Sequence, residues 1–407
     1  MAAGRVGEGW IENGADVRIL HLEGSPYEIG YQHGVLLREE IRDRIRDRLL
    51  GSLMEEDHIS HLLMLRHGRR VDDRLSSEYR AELAGIADGA GVAYSQVLLL
   101  NTYGDLIAQQ WSDQTLQDLS LSLSPPFAPF FGLPDAPWSA DSKVQSDSSG
   151  AAPDSRVGGA FAVFGAVTRD GTLLQAVDFE SPALRPEELI IMVYRPEEGN
   201  SFVAVGMPGA VGVTVGLNEE QVSVTALSSP SQDSSLEGVP LPFVLRDVLQ
   251  YARDIPAALR ILASADRTTG HNVLVADGKR PDAQVVELST HLYAIFESEG
   301  NFVARTQHYL DSDLSQTQRS LSWWREEDSW EHLDALLTEL EAHYGRLDAA
   351  GAVRLIQQLP VGPEASQSTT DDPVVRGVVL VVSDLEIRLV TGSSDDPGPV
   401  VSLDEDL

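Results

Sequence analysis

The stretch from Arg156 to Pro182, RVGGAFAVFGAVTRDGTLLQAVDFESP, constrains the fold more than any other. Gly159 to Val167 is an apolar run too short for a helix of ordinary length. Asp170-Gly171 is a turn pair, and a second apolar run ends in the acids Asp178 and Glu180. This reads as a β-hairpin.

More short strands follow at 189–195, 201–206, 210–215, 221–227, 272–276, 284–288, 292–296, 302–305, 377–383 and 386–391, after a first strand at 17–22. Helices come in blocks. Leu37, Ile41, Ile45, Leu49 and Leu53 recur every four residues within Val35 to Leu53. Tyr79 to Ala90 is a second helix, ended by glycine. The block 241–265 has Asp254 as an internal N-cap with Pro256 in the next turn. The block 316–359 breaks near Gly345 to Asp348. Antiparallel strands with grouped helices indicate an α+β class rather than alternating βα units. Residues 112–157 are rich in Ser, Pro, Asp and Gly and read as a long loop between a helical part at 1–111 and a sheet-rich part at 158–407.

Composition narrows the setting. The chain has 407 residues, with 63 acids and 30 bases and a formal net charge of −33. Lys143 and Lys279 are its only lysines. Acid excess with lysine depletion predicts a surface suited to concentrated salt, where screening acts over a few ångströms. A genome that merely prefers arginine is the alternative. The charge argues against nucleic acid and anionic membrane as partners. No run approaches the ~20 apolar residues of a membrane span, and Met1 to Ile19 has no leader-like core. A cytoplasmic protein is expected, with an oligomer left open. The absence of cysteine excludes disulfides, thiolate zinc sites and a thiol nucleophile.

Seven segments in order carry a family likeness: GSPYEIGYQHG (24–34), AFAVFGAVTRDG (160–171), GMPGAVGVTVGLNEE (206–220), PLPFVLRDVLQYARD (240–254), TTGHNVLVADG (268–278), QVVELS (284–289) and RTQHY (305–309). Together they resemble the acyl-CoA:6-aminopenicillanic acid acyltransferase family, N-terminal nucleophile hydrolases related to penicillin V acylase and bile salt hydrolase. The resemblance implies a four-layer αββα fold with two stacked antiparallel sheets, formed as one domain over 1–407. It also implies self-cleavage before a cysteine, whose free amine and thiol then attack the amide of a small acylated molecule. No metal or cofactor is implied.

Carried over residue by residue, the resemblance places the cysteine at Gly158, or in a gap between Gly159 and Ala160. The arginine, asparagine and aspartate after the turn fall on Val177, Asp178 and Glu180. A shift of one residue puts the aspartate on Asp178 instead. The oxyanion asparagine falls on Leu227 or Ser228. The asparagine between Thr306 and His308 is Gln307, and a later arginine falls on Arg319.

Three readings follow. The chain is a non-cleaving, non-catalytic or repurposed member, because residues that work as a unit are replaced together. Or a serine, with Ser155 nearest the expected cut, replaces the thiol; Ser148 and Ser149 lie further back, and such loop serines are otherwise solvated spacers. Or Asp178 and Glu180, two apart on one strand face, act with His308 or His271 as an acid–base or metal site.

His58, His61 and His67 read as one helix face, and Trp323, Trp324 and Trp330 as packing residues. Gly24, Gly30 and Gly34 lack the spacing of a dinucleotide site.

Overall fold

The computed structural model describes residues 4–13, 17–46, 58–108, 157–179, 186–319, 326–359, 374–391 and 400–403. The loop predicted at 112–157 lies outside them except for Val157, as do Ser148, Ser149, Ser155, Glu180, Trp323 and Trp324 and the end of the helix predicted to reach Leu53.

Two sheets dominate. The larger has ten strands: β1 (Arg5–Val6), β2 (Gly9–Asn13), β3 (Arg18–Gly24), β6 (Ile190–Pro196), β7 (Phe202–Gly206), β8 (Val215–Asn218), β9 (Val222–Ser228), β10 (His271–Asp277), β11 (Asp282–Leu288) and β12 (Tyr293–Glu297), in that spatial order. The smaller has six, ordered β13 (Phe302–Thr306), β4 (Val157–Gly165), β5 (Gly171–Phe179), β14 (Val375–Val381), β15 (Glu386–Thr391) and β16 (Val400–Ser402). Neighbouring strands are antiparallel except β3 and β6, which run parallel from Arg18↔Ile190 to Gly24↔Pro196.

Strand alternation sorts the apolar residues into three layers of contact. One face of the large sheet, including Leu22, Tyr194, Val224 and Val273, packs on helices α1 (Pro26–Leu36), α2 (Arg38–Arg44), α3 (His58–Asp72), α4 (Ser77–Ala90), α5 (Tyr94–Ala108), α6 (Leu241–Tyr251) and α7 (Ile255–Ser264). Its other face, including Val193, Leu217 and Leu274, meets Ala160, Val177 and Val378 of the small sheet. The far face of the small sheet, with Phe161, Ala176 and Val379, is covered by α9 (Glu326–Ala342) and α10 (Ala349–Gln358), which follow the short α8 (Ser312–Ser315). The order helix, sheet, sheet, helix is the αββα arrangement expected from the sequence. It explains the unbroken apolar strands: each face of β4, β5, β9 and β10 is buried.

The glycines of the first helix have a packing role. Cβ atoms on Gly30 and Gly34 would come within 2.0 Å of Glu82 O and 2.4 Å of Ile86 O, and those on Gly85 and Gly89 within 2.2 Å of Tyr27 O and 2.5 Å of Tyr31 O. Helices α1 and α4 therefore cross backbone to backbone, which any side chain at these four positions would prevent.

Three predicted elements differ. The strand expected at 210–215 is a loop, although Val211 and Val213 are both buried. Its backbone pairs with helix residues instead: Val213 N donates to Pro242 O (2.9 Å), Gly209 N to His33 Nε2 (2.9 Å) and Val211 N to Asn101 Oδ1 (2.7 Å). Arg246 adds a bond to Val211 O (3.1 Å) and a buried ion pair with Glu82 (2.8 Å). The first helix begins at Pro26 rather than Val35, where the Glu28 carboxylate accepts from the Ser25 N–H (2.9 Å), and it breaks at Leu37. The β4–β5 turn spans 166–170, and Gly165 (φ 56°) and Gly171 (φ 88°) face each other across it.

Candidate functional site

Of the predicted site residues, Gly158, Gly159, Asp178, Thr306, Gln307 and His308 lie where β4 begins and β5 and β13 end. Gly158 and Gly159 form an irregularity in the β4–β5 pairing, between Val157↔Phe179 and Ala160↔Val177. Gly159 N donates to Asp178 Oδ1 at 2.7 Å. The second carboxylate oxygen faces His332 Nε2 of α9 at 3.0 Å, ion-pair distance with the ring off a straight hydrogen bond. Both side chains are 6% exposed. A Cβ on Gly159 would sit 3.1 Å from His332 Cδ2 and 3.2 Å from Asp178 Oδ1. The imidazole thus borders the place where a side chain at 159 would start.

Asp178 reaches the Gly158–Gly159 segment; Glu180 lies outside the described residues. Thr306 pairs with Gly159 across β13 and β4. Its hydroxyl donates to Ser329 O (3.0 Å), and His308 Nδ1 lies 2.8 Å from Ser329 Oγ and 3.1 Å from Thr306 Oγ1. Gln307 N donates to Ser329 Oγ (3.1 Å). Burial, helped by the charge of Arg305, lowers the pKa of His308 to about 4. At neutral pH it is an uncharged hydrogen-bonding ring, stacked on Trp330 with centroids 3.9 Å apart. Trp330 is 47% exposed and so caps His308 rather than filling the core.

One predicted position is corrected. Leu227 is fully buried in the apolar layer between the sheets, together with Val177, and its side chain presents no donor to an oxyanion. Arg319 donates its backbone N–H to Pro230 O (2.9 Å), and the contacts joining Gly159, Asp178, Thr306 and His308 run through Ser329 and His332. His271 pairs with Ser228 and approaches Thr269 at 3.4 Å, and burial lowers its pKa to about 4. It stands one residue from Asn272 and so on the opposite face of β10. Among the described residues no group of three or more His, Asp or Glu side chains could hold a metal ion. The only predicted helix-face histidine with a described side chain, His67, is buried.

The sequence reading missed His332, Ser329 and Asn272. A signal was present in α9: Ser329 and His332 fall on the same stripe as Leu333, Leu336 and Leu340, and all five are buried. Polar residues on an apolar stripe require partners inside. Asn272 is paired across the strands with Leu227 and shares its face. A surface groove of about 670 Å³, lined by Glu23, Glu28, Arg195, Tyr27 and Tyr31 among others, opens at the opposite strand ends, beside Gly24 and Pro196.

Residues 175–358 match the family model of Acyl-coenzyme A:6-aminopenicillanic acid acyl-transferase. The match covers less than half of the chain. The matched stretch includes Asp178, Leu227, Asn272, the Thr306–His308 segment and His332, and starts downstream of Gly158 and Gly159. An uncharacterized protein of Archaeoglobus fulgidus is 28% identical over 378 residues, 84% of this chain and 58% of its own length. Protein dcd1A of Dictyostelium discoideum is 24% identical over 319 residues, 70% of this chain and 62% of its own. The chain thus spans less than two thirds of these relatives. A solved variant of conjugated bile acid hydrolase from Clostridium perfringens is 11% identical with a TM-score of 0.45, over 61% of this chain and 93% of that one.

Proposed function

We propose that this protein is a non-self-cleaving member of the acyl-transferase family that binds a small acylated molecule without cysteine chemistry. One observation carries the reading. Gly158 and Gly159, where the resemblance places the cysteine, carry no side-chain nucleophile, and the Gly159 N–H donates to Asp178 Oδ1 at 2.7 Å. A glycine there supplies no thiol or hydroxyl to attack an amide. Val177 and Leu227 support the same conclusion. They stand where the resemblance expects an arginine and an oxyanion donor, and both are fully buried in apolar contact between the sheets. Charge stabilisation of a tetrahedral intermediate requires polar donors at those places.

Intact-mass measurement of the purified chain should give one full-length species, and short N-acyl amides at molar salt should remain uncleaved. Fragments meeting near 155–160, or turnover abolished by Ser155→Ala, would sink the reading in favour of a serine nucleophile. We also propose a high-salt cytoplasm as the setting, on the strength of the net charge of −33. The melting temperature should rise as KCl increases from about 0.1 to 2 M, because screening relieves carboxylate repulsion. A flat or falling response refutes it.

A further inference from the structure

A sheet edge is a row of open hydrogen-bonding groups, and proteins guard it with short strands, lysine, proline, bulges or a covering element. Among the described residues the two sheets end in four edge strands. β1 has two residues and β16 three, and β13 is buried from Val303 to Thr306. β12 has no such guard. It is five residues long, Tyr293–Glu297, and pairs with β11 without a bulge from Leu288↔Tyr293 to Gln284↔Glu297. Its sequence, YAIFE, holds no lysine or proline, and Glu297 is its single charge. Tyr293 is 51% exposed and Ile295 43%. Both stand opposite residues of the helix-side core, Leu288 and Val286, and so on the helix-facing side of the sheet.

The pairing phase fixes which backbone groups of β12 are open. Ser289 N donates to Leu292 O (3.0 Å), so 289 and 292 are a hydrogen-bonded pair at the turn. Such pairs alternate along an antiparallel ladder. Ala294 and Phe296 therefore bond to β11, while Tyr293, Ile295 and Glu297 aim their N–H and C=O groups outward. The neighbouring ladder has the same phase. Ser229 N donates to Gly270 O (3.0 Å), which makes His271 and Leu288 a hydrogen-bonded pair and turns the Leu288 backbone away from Tyr293. Among the described residues, the outward groups of Tyr293, Ile295 and Glu297 meet no partner.

We propose that β12 pairs antiparallel with β12 of a second copy of this chain, about a two-fold axis at Ile295, so that two ten-stranded sheets join into one. In this register Ile295 faces its own copy and Tyr293 faces the partner's Glu297. Each of the three outward residues then exchanges both of its backbone bonds. Any shifted register sets at least one of them against a residue outside the strand, and centring on Glu297 would also oppose two carboxylates. The side chains agree with the backbone. The two Ile295 side chains meet at the axis, and the strand's one charge lies beside a phenol rather than a like charge. The self-complementarity of this short sequence selects a second copy as the occupant. Each copy carries a net charge of −33, so the pairing belongs to concentrated salt, where that repulsion is screened.

The full chain has no cysteine, so one introduced thiol reports on the axis. Across a hydrogen-bonded antiparallel pair the Cα atoms are about 5.5 Å apart, within the ~4.4–6.8 Å that a disulfide spans. Ile295→Cys, oxidised with diamide at molar KCl, should therefore give a covalent dimer. Tyr293→Cys should not, because its two thiols stand roughly 13 Å apart along the strands. Sedimentation at molar KCl should show a dimer of the unaltered chain. Ile295→Asp, at an exposed position, should weaken it at least ~10-fold by setting like charges opposite each other. Ile295→Pro removes only an outward N–H and should do the same. Hydrogen exchange of the monomeric Ile295→Asp variant should be fast at Tyr293 and Glu297 and slow at Ala294 and Phe296. A monomeric unaltered chain, a dimer indifferent to both substitutions, or equal cross-linking of the two thiols overturns the proposal. So does slow exchange at Tyr293 and Glu297 in the monomer, which would assign the edge to another segment of the same chain. If either substituted chain fails to fold, the thiol pair still decides.

Discussion

Asp178 is a buried carboxylate with two neighbours, a backbone N–H and an imidazole, and its burial is tolerable only because both are present. Asp178→Ala should therefore lower unfolding stability by about 1–3 kcal/mol, since it strands the buried Gly159 amide. Asp178→Asn keeps an acceptor for Gly159 and should cost less. Urea unfolding of the two variants checks the order; equal losses would mean that the carboxylate charge is irrelevant. The acid itself was legible in sequence, because a strand ending in two carboxylates after a Gly-Gly pair marked the place. Choosing between Asp178 and Glu180 was not, because the two share a strand face and differ by one register step. His332 was harder still. It lies 154 positions further along the chain from Asp178 and reaches it only because α9 covers the far face of β5.

At the scale of elements, the glycine pairs of α1 and α4 set a distance rather than bind a nucleotide. Gly30→Ala would force a Cβ to within 2.0 Å of the Glu82 carbonyl, so the helices must part. The expected loss is about 3 kcal/mol or more, toward the upper end of overpacking effects. Gly171→Ala is a useful contrast: nothing lies within 4 Å of its added Cβ, and only its positive φ opposes the change. Thermal melts of both variants decide the point, and equal shifts would refute the close-packing account. Most elements were legible because apolar runs between turn residues leave few alternatives. The strand expected at 210–215 failed for a physical reason. Val211 and Val213 have a strand's alternation, but His33, Asn101 and Pro242 take the backbone groups that a neighbouring strand would have used. The packing against the helix layer was right and the hydrogen-bond partner was not.

Across the whole molecule, five histidines among the described residues are held below the usual imidazole pKa, His21, His33, His67 and His308 buried and His271 half-buried. His21, His67, His271 and His308 are lowered to about 4, and His33 to about 3, in each case chiefly by burial. The unfolded chain, with histidines near pH 6.5, binds more protons than the native one between these values. Their contribution to stability is therefore complete above about pH 6.5 and is lost as the pH falls toward 4. Denaturation midpoints measured from pH 7.5 to 4.5 should decline steadily below 6.5; a constant midpoint would show that these rings are charged or exposed. The αββα layering was available from the family likeness alone, since strand and helix patterns reach no further than an α+β class, and the pairing of β3 with β6 gave no sequence signal.

That parallel pair sets an order of events during synthesis. Residues 18–24 have their partner at 190–196, so at ribosomal rates of about 5–20 residues per second β3 waits roughly 10–35 s for β6 to be made. In the second half of that interval the helices of the first 108 residues have been made while much of the sheet they must cover does not yet exist. The newborn chain is an apolar half-structure over that period, and whatever shields it in the cell must act before residue 196 is translated.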